Sequence, residues 1–477
     1  MKKRTILAGA AGAGILAGAA VFFQRPRSGR VRYSGGYPDE WHRQTDVLVI
    51  GGGAAGLSAA LSAAENGARV TLVEQNPELG GDSLISGGYF NAVDPLRQAP
   101  LGIHDSVELF REQILDSGGG RNSPEVASVL ASEAGFSLDW LERHGMRFMP
   151  QVVKILGGGF ARSHKPLLPR GEGYIRVLSS ECRKKKVAIR LGSRAEEIYR
   201  DPSGTVTGAA VTDSDGRTAY IRATRGVIVA TGGYGANRQL LERLAPRYAP
   251  LPHDSQMGAT GQAMLEAEAA GARLVNTDLA ECVPGSLPQT GLFARLDLKP
   301  ERMVMVDDAG NRFVDETGYR SQIAQAILGL GARKCWSVAD SDAVASFDES
   351  IQKDIYRNYY AGAVARSQTL QGLAREIGVP ESAFVRTIRR TASSRRILTP
   401  PFWAAPINLH LHTTLGGLQI TGRAECVDAA GNAIPGLWAA GEVAGNVHGV
   451  NRLGANGINT AVTFGRIAGR EAALRKS

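Results

Sequence analysis

The stretch from Asp46 to Gln75, DVLVIGGGAAGLSAALSAAENGARVTLVEQ, leaves few folds open to this chain. DVLVI, four apolar residues after Asp46, reads as a strand buried on both faces, three glycines as a tight turn, and the alanine-rich run as a helix. A second apolar strand comes next. Gly51 permits the turn, Gly53 lets a pyrophosphate approach bare backbone, and Gly56 lets the helix pack closely on the strand, with the helix N-terminus facing the phosphates. Glu74 closes the second strand, where a carboxylate accepts from ribose hydroxyls and repels the extra phosphate of NADP. Strand, turn, helix, strand and acid in order predict a dinucleotide site for FAD or NAD.

The residues after this motif favour FAD. ELGGDSLISGGYFNA, from Glu78, carries glycine-rich backbone along a longer cofactor than a nicotinamide dinucleotide. GVIVATGGYG (Gly226 to Gly235) and GLWAAGEVAG (Gly436 to Gly445) each read as a strand ending in small residues, both pointing at one crevice.

The 477 residues carry a formal charge of +9, which raises the question of nucleic acid. Eight basic and two acidic residues precede Asp46, so +6 of that charge is local and the body holds an ordinary +3. No phosphate-tracking stripe is encoded and no nucleic-acid partner is expected. Cys182, Cys282, Cys335 and Cys426 stand apart without CxxC spacing, which argues against zinc and attached haem and favours four inert thiols. Lys2-Lys3-Arg4 before the uncharged run Thr5 to Phe23 reads as an export signal, with a twin-arginine-like KRTIL, or as a membrane anchor. An exported, periplasmic or membrane-associated protein is expected.

The motifs DVLVIGGGAAG, GGDSLISGG, ATGG, NRFVDE, HTTLGG, GLWAAGE and HGVNRLGANGI occur in an order that resembles the flavoproteins of the fumarate reductase, succinate dehydrogenase and soluble flavocytochrome c family. The likeness runs from about Asp46 to about Ala473. It implies an α/β fold: a Rossmann-like FAD-binding domain with an inserted α+β capping domain. Residues 1–44 would be signal and linker, 45–282 and 411–477 the two parts of the FAD-binding domain, and 283–410 the cap. Beside Gly51, Gly53, Gly56 and Glu74, the expected FAD residues are Ala54, Ala55, Gly80, Gly81, Asp82, Ser86, Gly87, Gly88, Ala230, Thr231, Gly232, Glu442, Asn456 and Gly457. Some members attach FAD through a histidine before the early GG. No histidine lies between Glu78 and Gly88 here, so FAD is expected to be non-covalent.

By the same resemblance Arg320 corresponds to the proton donor, and His412 and Arg452 to groups that clamp a carboxylate. The chemistry is hydride transfer between flavin N5 and a carbon–carbon double bond beside a carboxylate or carbonyl. Simpler readings compete: Arg320 pairing with Glu316 one turn earlier, His410 taking the place of His412 on one strand face, and Arg452 serving FAD alone. Departures from the family pattern are as telling. ECVPGS places Val283 where fumarate-reducing members have a histidine, and the Thr-Glu pair and relay arginine fall on Arg295, Leu296 and Lys299, leaving Lys299 as a substitute relay. A C4-dicarboxylate substrate is therefore not expected. SHKPLLPRGEGYIRVL adds His164 and Arg170 to the pocket or to a surface loop, and the basic run Arg183 to Lys186 reads as a solvated helix end. Two other functions stay open: a 3-ketosteroid-type dehydrogenase using Tyr319 or Tyr89, and a non-catalytic flavin electron carrier. Electrons would come from a cytochrome, a quinone or a nicotinamide donor.

Overall fold

The first strand, β1 (Arg43–Ile50), runs through the middle of a mainly parallel sheet in the computed structural model. The structure describes residues 37–155, 157–286, 294, 296–331, 333–395 and 397–476, in one unit from Tyr37. The amino-terminal run expected to be an export signal or anchor, and Arg295, lie outside the described residues.

Val47, Leu48 and Val49 are fully buried, as a strand covered on both faces requires. Each such side chain contributes roughly 1.5–3 kcal/mol relative to exposure. The chain continues through helix α1 (Ala54–Glu65) to strand β2 (Val70–Val73), which pairs parallel with β1. Outward from β2 lies β3 (Ala188–Arg190); on the other side of β1 lies β4 (Thr218–Val229). Strand β5 (Ala280–Ser286) leaves this layer, and its partner β6 (Asn408–Thr414) returns to it. Strand β7 (Ala433–Ala439) then joins the sheet beside β4, also parallel. The carboxyl ends of β1, β4 and β7 therefore lie side by side, where an open α/β sheet binds its ligand.

The last helix, Asn456–Leu474, packs along α1. A methyl at Gly465 would stand 2.4 Å from the Ala55 carbonyl oxygen, and one at Gly469 would stand 2.2 Å from that of Ala59, so only glycine allows this approach.

Val283 and His410 face each other across the antiparallel β5–β6 pair. Between them the chain builds a separate four-stranded sheet from Met303–Asp307, Cys335–Ala339, Phe402–Pro406 and Ala365–Ser367. Two further hydrophobic clusters fill its faces, one around Trp403, Met305 and Phe347 and one around Val304, Phe384 and Leu373. Leu296, placed by the resemblance at a relay position, is fully buried in the first of them. The four cysteines are free and buried. Arg183 to Lys186 are exposed at a helix end, in line with the sequence. Among the described residues no helix is long and apolar enough to cross a membrane.

Candidate active site

A cavity of about 1100 Å³ opens along the carboxyl edge of the sheet. Its wall at the first βα turn is bare backbone. A methyl at Gly56 would stand 1.8 Å from the Gly51 carbonyl oxygen, so helix and turn touch only because that Cβ is missing. Gly53 differs: a methyl there would meet protein atoms no nearer than 3.5 Å, so the space before it belongs to the cavity. Glu74 holds the turn from behind, accepting from the Gly52 amide at 2.7 Å and the Asn76 amide at 2.8 Å. The carboxylate assigned to ribose is thus also the brace of the phosphate loop.

Most residues expected at the cofactor line this cavity: Gly51, Gly53, Ala54, Ala55, Glu74, Gly80, Gly81, Asp82, Ser86, Gly87, Gly88, Ala230, Thr231, Gly232, Glu442 and Gly457. Gly56 and Asn456 do not. Gly56 is the contact behind the turn, and Asn456 is fully buried, its Oδ1 accepting from Asn91 Nδ2 at 2.8 Å. Glu442 accepts from both the amide and the hydroxyl of Thr414 at 2.9 Å. Thr231 presents a buried hydroxyl without a protein partner to the cavity, an atom that a bound ligand would satisfy. The Asp82 carboxyl is raised to about 7, first by burial and then by Glu442, against the Gln256 amide that favours its charged form.

Arg320, His412 and Arg452 line the same cavity. They come from three places. Arg320 opens the helix Arg320–Gly329 in the segment between β5 and β6, Arg452 lies in the loop before the last helix, and His412 is on β6. A register shift there pairs Glu281 with Thr413 and Cys282 with Leu411, leaving His412 as the extra residue of a bulge, a device that re-aims a side chain. Its Nδ1 lies 2.9 Å from Asp254 Oδ2.

Glu281 joins the two arginines. Arg452 donates to its Oε2 from Nε at 3.0 Å and Nη2 at 2.7 Å, and Arg320 donates to its Oε1 from Nη1 at 3.2 Å. Burial works against the Glu281 charge, yet Arg452 and Arg320 together hold its carboxyl down at about 2. The Ser321 amide, next to Arg320, donates to Asn451 Oδ1, next to Arg452, at 3.2 Å. His448, also on the cavity, is kept neutral: burial and then Arg452 push it down to about 3.

Several sequence readings are corrected here. Arg320 does not depend on Glu316, which accepts from Arg312 instead, because 312–318 is not helical and helix spacing does not apply. Lys299 lines the same cavity as Arg320 and donates to the Ser346 carbonyl at 2.8 Å. Arg452 lines the cavity and shares Glu281 with Arg320. His164 is fully buried away from the cavity, whereas Arg170 lines it. Tyr319 is not among the lining residues and donates to Asp116 Oδ2 at 2.5 Å, while Tyr89 is. Sequence reasoning missed Glu281, Asp254 and His448. An isolated acid in the apolar strand AECVPGS was the one available signal for Glu281.

Sheet, glycine cradle and elongated cavity together define a dinucleotide-binding flavoprotein. Residues 46–458 match the FAD binding domain family. Fumarate reductase (cytochrome) of Shewanella frigidimarina is 31% identical over 452 residues, covering 91% of this chain and 77% of that protein. NADH:acrylate oxidoreductase of Vibrio harveyi is 30% identical over 509 residues, and the chain spans 50% of its length. Among solved structures, the open conformation of a flavocytochrome c3 fumarate reductase superposes with a TM-score of 0.75 at 29% identity, over 91% of this chain and 79% of that one. The chain belongs to the fumarate reductase and succinate dehydrogenase flavoprotein family of FAD-dependent oxidoreductases, and its cofactor is FAD.

Proposed function

We propose that this protein reduces a carbon–carbon double bond beside a carboxylate or carbonyl. The observation that carries the reading is the Arg320–Glu281–Arg452 chain on the wall of the FAD cavity, with His412 beside it. Bound reduced FAD would supply the hydride. The protein's own groups do the rest: Arg452 and His412 hold the oxygen atoms of the substrate, and Arg320 gives a proton to the carbon next to them. Glu281 fixes both guanidinium groups before substrate arrives, so no reorganisation is needed at the moment of reaction. Asp254 orients the His412 ring through Nδ1, leaving Nε2 for the substrate.

FAD is held without a covalent bond, by Gly53, Gly81, Gly232 and Gly457 against its phosphates and rings and by Glu74 at the ribose. The segment 283–410 serves as the cap that brings Arg320 to the site. The amino-terminal run directs export or holds the protein at a membrane, and electrons arrive from a cytochrome, a quinone or a nicotinamide donor.

The test is anaerobic. Holoenzyme is reduced with dithionite and mixed with unsaturated acids, and flavin reoxidation is followed by absorbance. Arg320→Ala is expected to retain FAD and lose turnover by at least about a thousandfold, roughly 4 kcal/mol of barrier. Unchanged turnover in that variant removes Arg320 from the reaction.

A further inference from the structure

We infer that Gly157 is a positioning residue for Arg320: its bare backbone is the seat along which the arginine stem lies, and a side chain there would move the guanidinium group away from the carbon it protonates. This rests on the reductase reading above and deepens it. Two observations lead to it.

The first is clearance. A methyl at Gly157 would stand 3.1 Å from Arg320 Nε, 3.4 Å from its Cγ and 3.5 Å from its Cδ. Three successive stem atoms thus run past one α-carbon, and the nearest would be closer than the roughly 3.5–4.0 Å of ordinary contact. The stem is held at both ends. Its tip donates from Nη1 to Glu281 Oε1 at 3.2 Å. Its root opens the helix Arg320–Gly329, and the next amide, of Ser321, donates to Asn451 Oδ1. A stem fixed in this way cannot yield to a methyl without carrying its guanidinium group along.

The second is connection. The Gly157 carbonyl oxygen accepts from the amide of Gly454, two residues past Arg452, at 2.7 Å. Gly157 has φ +67, the left-handed backbone that glycine adopts without cost. The chain around it is anchored. Val153, Lys154 and Ile155 line the cavity. Arg162, five residues on, is fully buried, donating to Asp105 Oδ1 at 2.7 Å and lying 4.2 Å from the Phe110 ring centre. The seat therefore belongs to the body of the protein and is fastened to the loop of Arg452, whereas Arg320 arrives from the segment between β5 and β6. One backbone position sets the separation of the group that gives the proton from the group that holds the substrate's oxygen atoms.

The experiment compares Gly157→Ala with Gly159→Ala. Gly159 also has left-handed backbone, φ +73, so the two substitutions carry a similar backbone cost. A methyl at Gly159 meets Gln113 at 3.4 Å and Leu453 at 3.7 Å instead of Arg320. Reduced holoenzymes are mixed with fumarate, acrylate, trans-2-butenoate and trans-cinnamate, and the acceptor that reoxidises the wild type fastest is used throughout. Gly157→Ala is expected to keep its FAD and to lower the limiting rate of reoxidation about tenfold, with the half-saturating concentration changed by less than about threefold. Gly159→Ala is expected to stay within about threefold of the wild type in both. Gly157→Asn is the second variant, because asparagine tolerates left-handed backbone better than alanine and is bulkier. It is expected to lose more of the limiting rate than Gly157→Ala, and a milder loss overturns the inference. In Arg320→Ala protein the further change Gly157→Ala is expected to alter the residual rate by less than about twofold, the mark of a residue that acts through the arginine. Crystal structures of the oxidised holoenzymes give a readout apart from turnover: the Nη1–Oε1 separation between Arg320 and Glu281 should exceed about 3.5 Å in Gly157→Ala and be unchanged in Gly159→Ala. A wild-type limiting rate in Gly157→Ala, an equal loss in the two alanine variants, or an undisturbed Arg320–Glu281 contact overturns the inference and leaves the reductase reading intact. No reoxidation of the wild type by any of the four acceptors brings down the reductase reading together with this inference.

Discussion

Arg452 grips Glu281 through two nitrogens on one carboxylate oxygen, and the other oxygen of that carboxylate is left for Arg320. One acid thus holds a cation from the loop before the last helix and a cation from the segment between β5 and β6. Removing it leaves two guanidinium groups in a place nearly closed to water.

Glu281→Gln is therefore expected to destabilise the protein by about 3–5 kcal/mol, the range for breaking a buried ion pair from one side. The pH dependence has a definite sign. With its carboxyl held at about 2 against an ordinary 4.5, Glu281 contributes stability that is fully present above 4.5 and is lost as pH falls toward 2. Urea unfolding at a series of pH values checks both: the wild type loses this part of its stability in that window, and the glutamine variant has none of it to lose.

Asp82 gives the opposite slope. Its carboxyl, raised from 3.8 to about 7, keeps a proton in the folded protein that the unfolded chain releases, so stability falls as pH rises through that interval. Asp82→Asn is expected to remove the fall. Thermal midpoints of flavin-free protein at pH 5 and pH 8 test this: the gain from the substitution should be larger at pH 8, and an equal gain at both counts against it.

Two glycines of the first turn should fail in different ways. Gly56→Ala drives a methyl into the Gly51 carbonyl and is expected to give little folded protein. Gly53→Ala fits among the protein's own atoms and should fold with a normal circular dichroism spectrum. It is expected to purify with far less FAD, because its methyl occupies the cofactor's approach. Full FAD content in the Gly53 variant would contradict that placement.

Asp254 touches His412 and not Arg320, which separates binding from proton delivery. Asp254→Asn is expected to raise KM about tenfold, ~1.4 kcal/mol, with kcat changed less. Steady-state rates over substrate concentration decide it; a fall in kcat at constant KM would place Asp254 in the chemical step.

The dinucleotide site was legible because its motif follows one local order of strand, glycine turn and helix, in which Gly56 meets the Gly51 carbonyl five residues back, although the clearance of Gly51 is set by Ala230 and that of Gly53 by Gly80 and Ser83. The arginine pair was legible only through family resemblance. Glu281 was not singled out, since its partners lie 39 and 171 residues away and no spacing rule connects them. The helix rule that offered Glu316 to Arg320 failed for a physical reason, because the chain turns rather than coils before Tyr319. Asp254 was hidden likewise, meeting His412 only because a bulge turns that ring aside.

Leu298, Phe347 and Ile351 all belong to the excursion that leaves by Val283 and comes back at His410, whereas the glycines of the cradle lie outside it. The pocket is therefore shared between the two portions: the looped-out one brings Arg320, and the one that seats the coenzyme brings Arg452, His412 and Glu281, so a change of diet would have to be written in both.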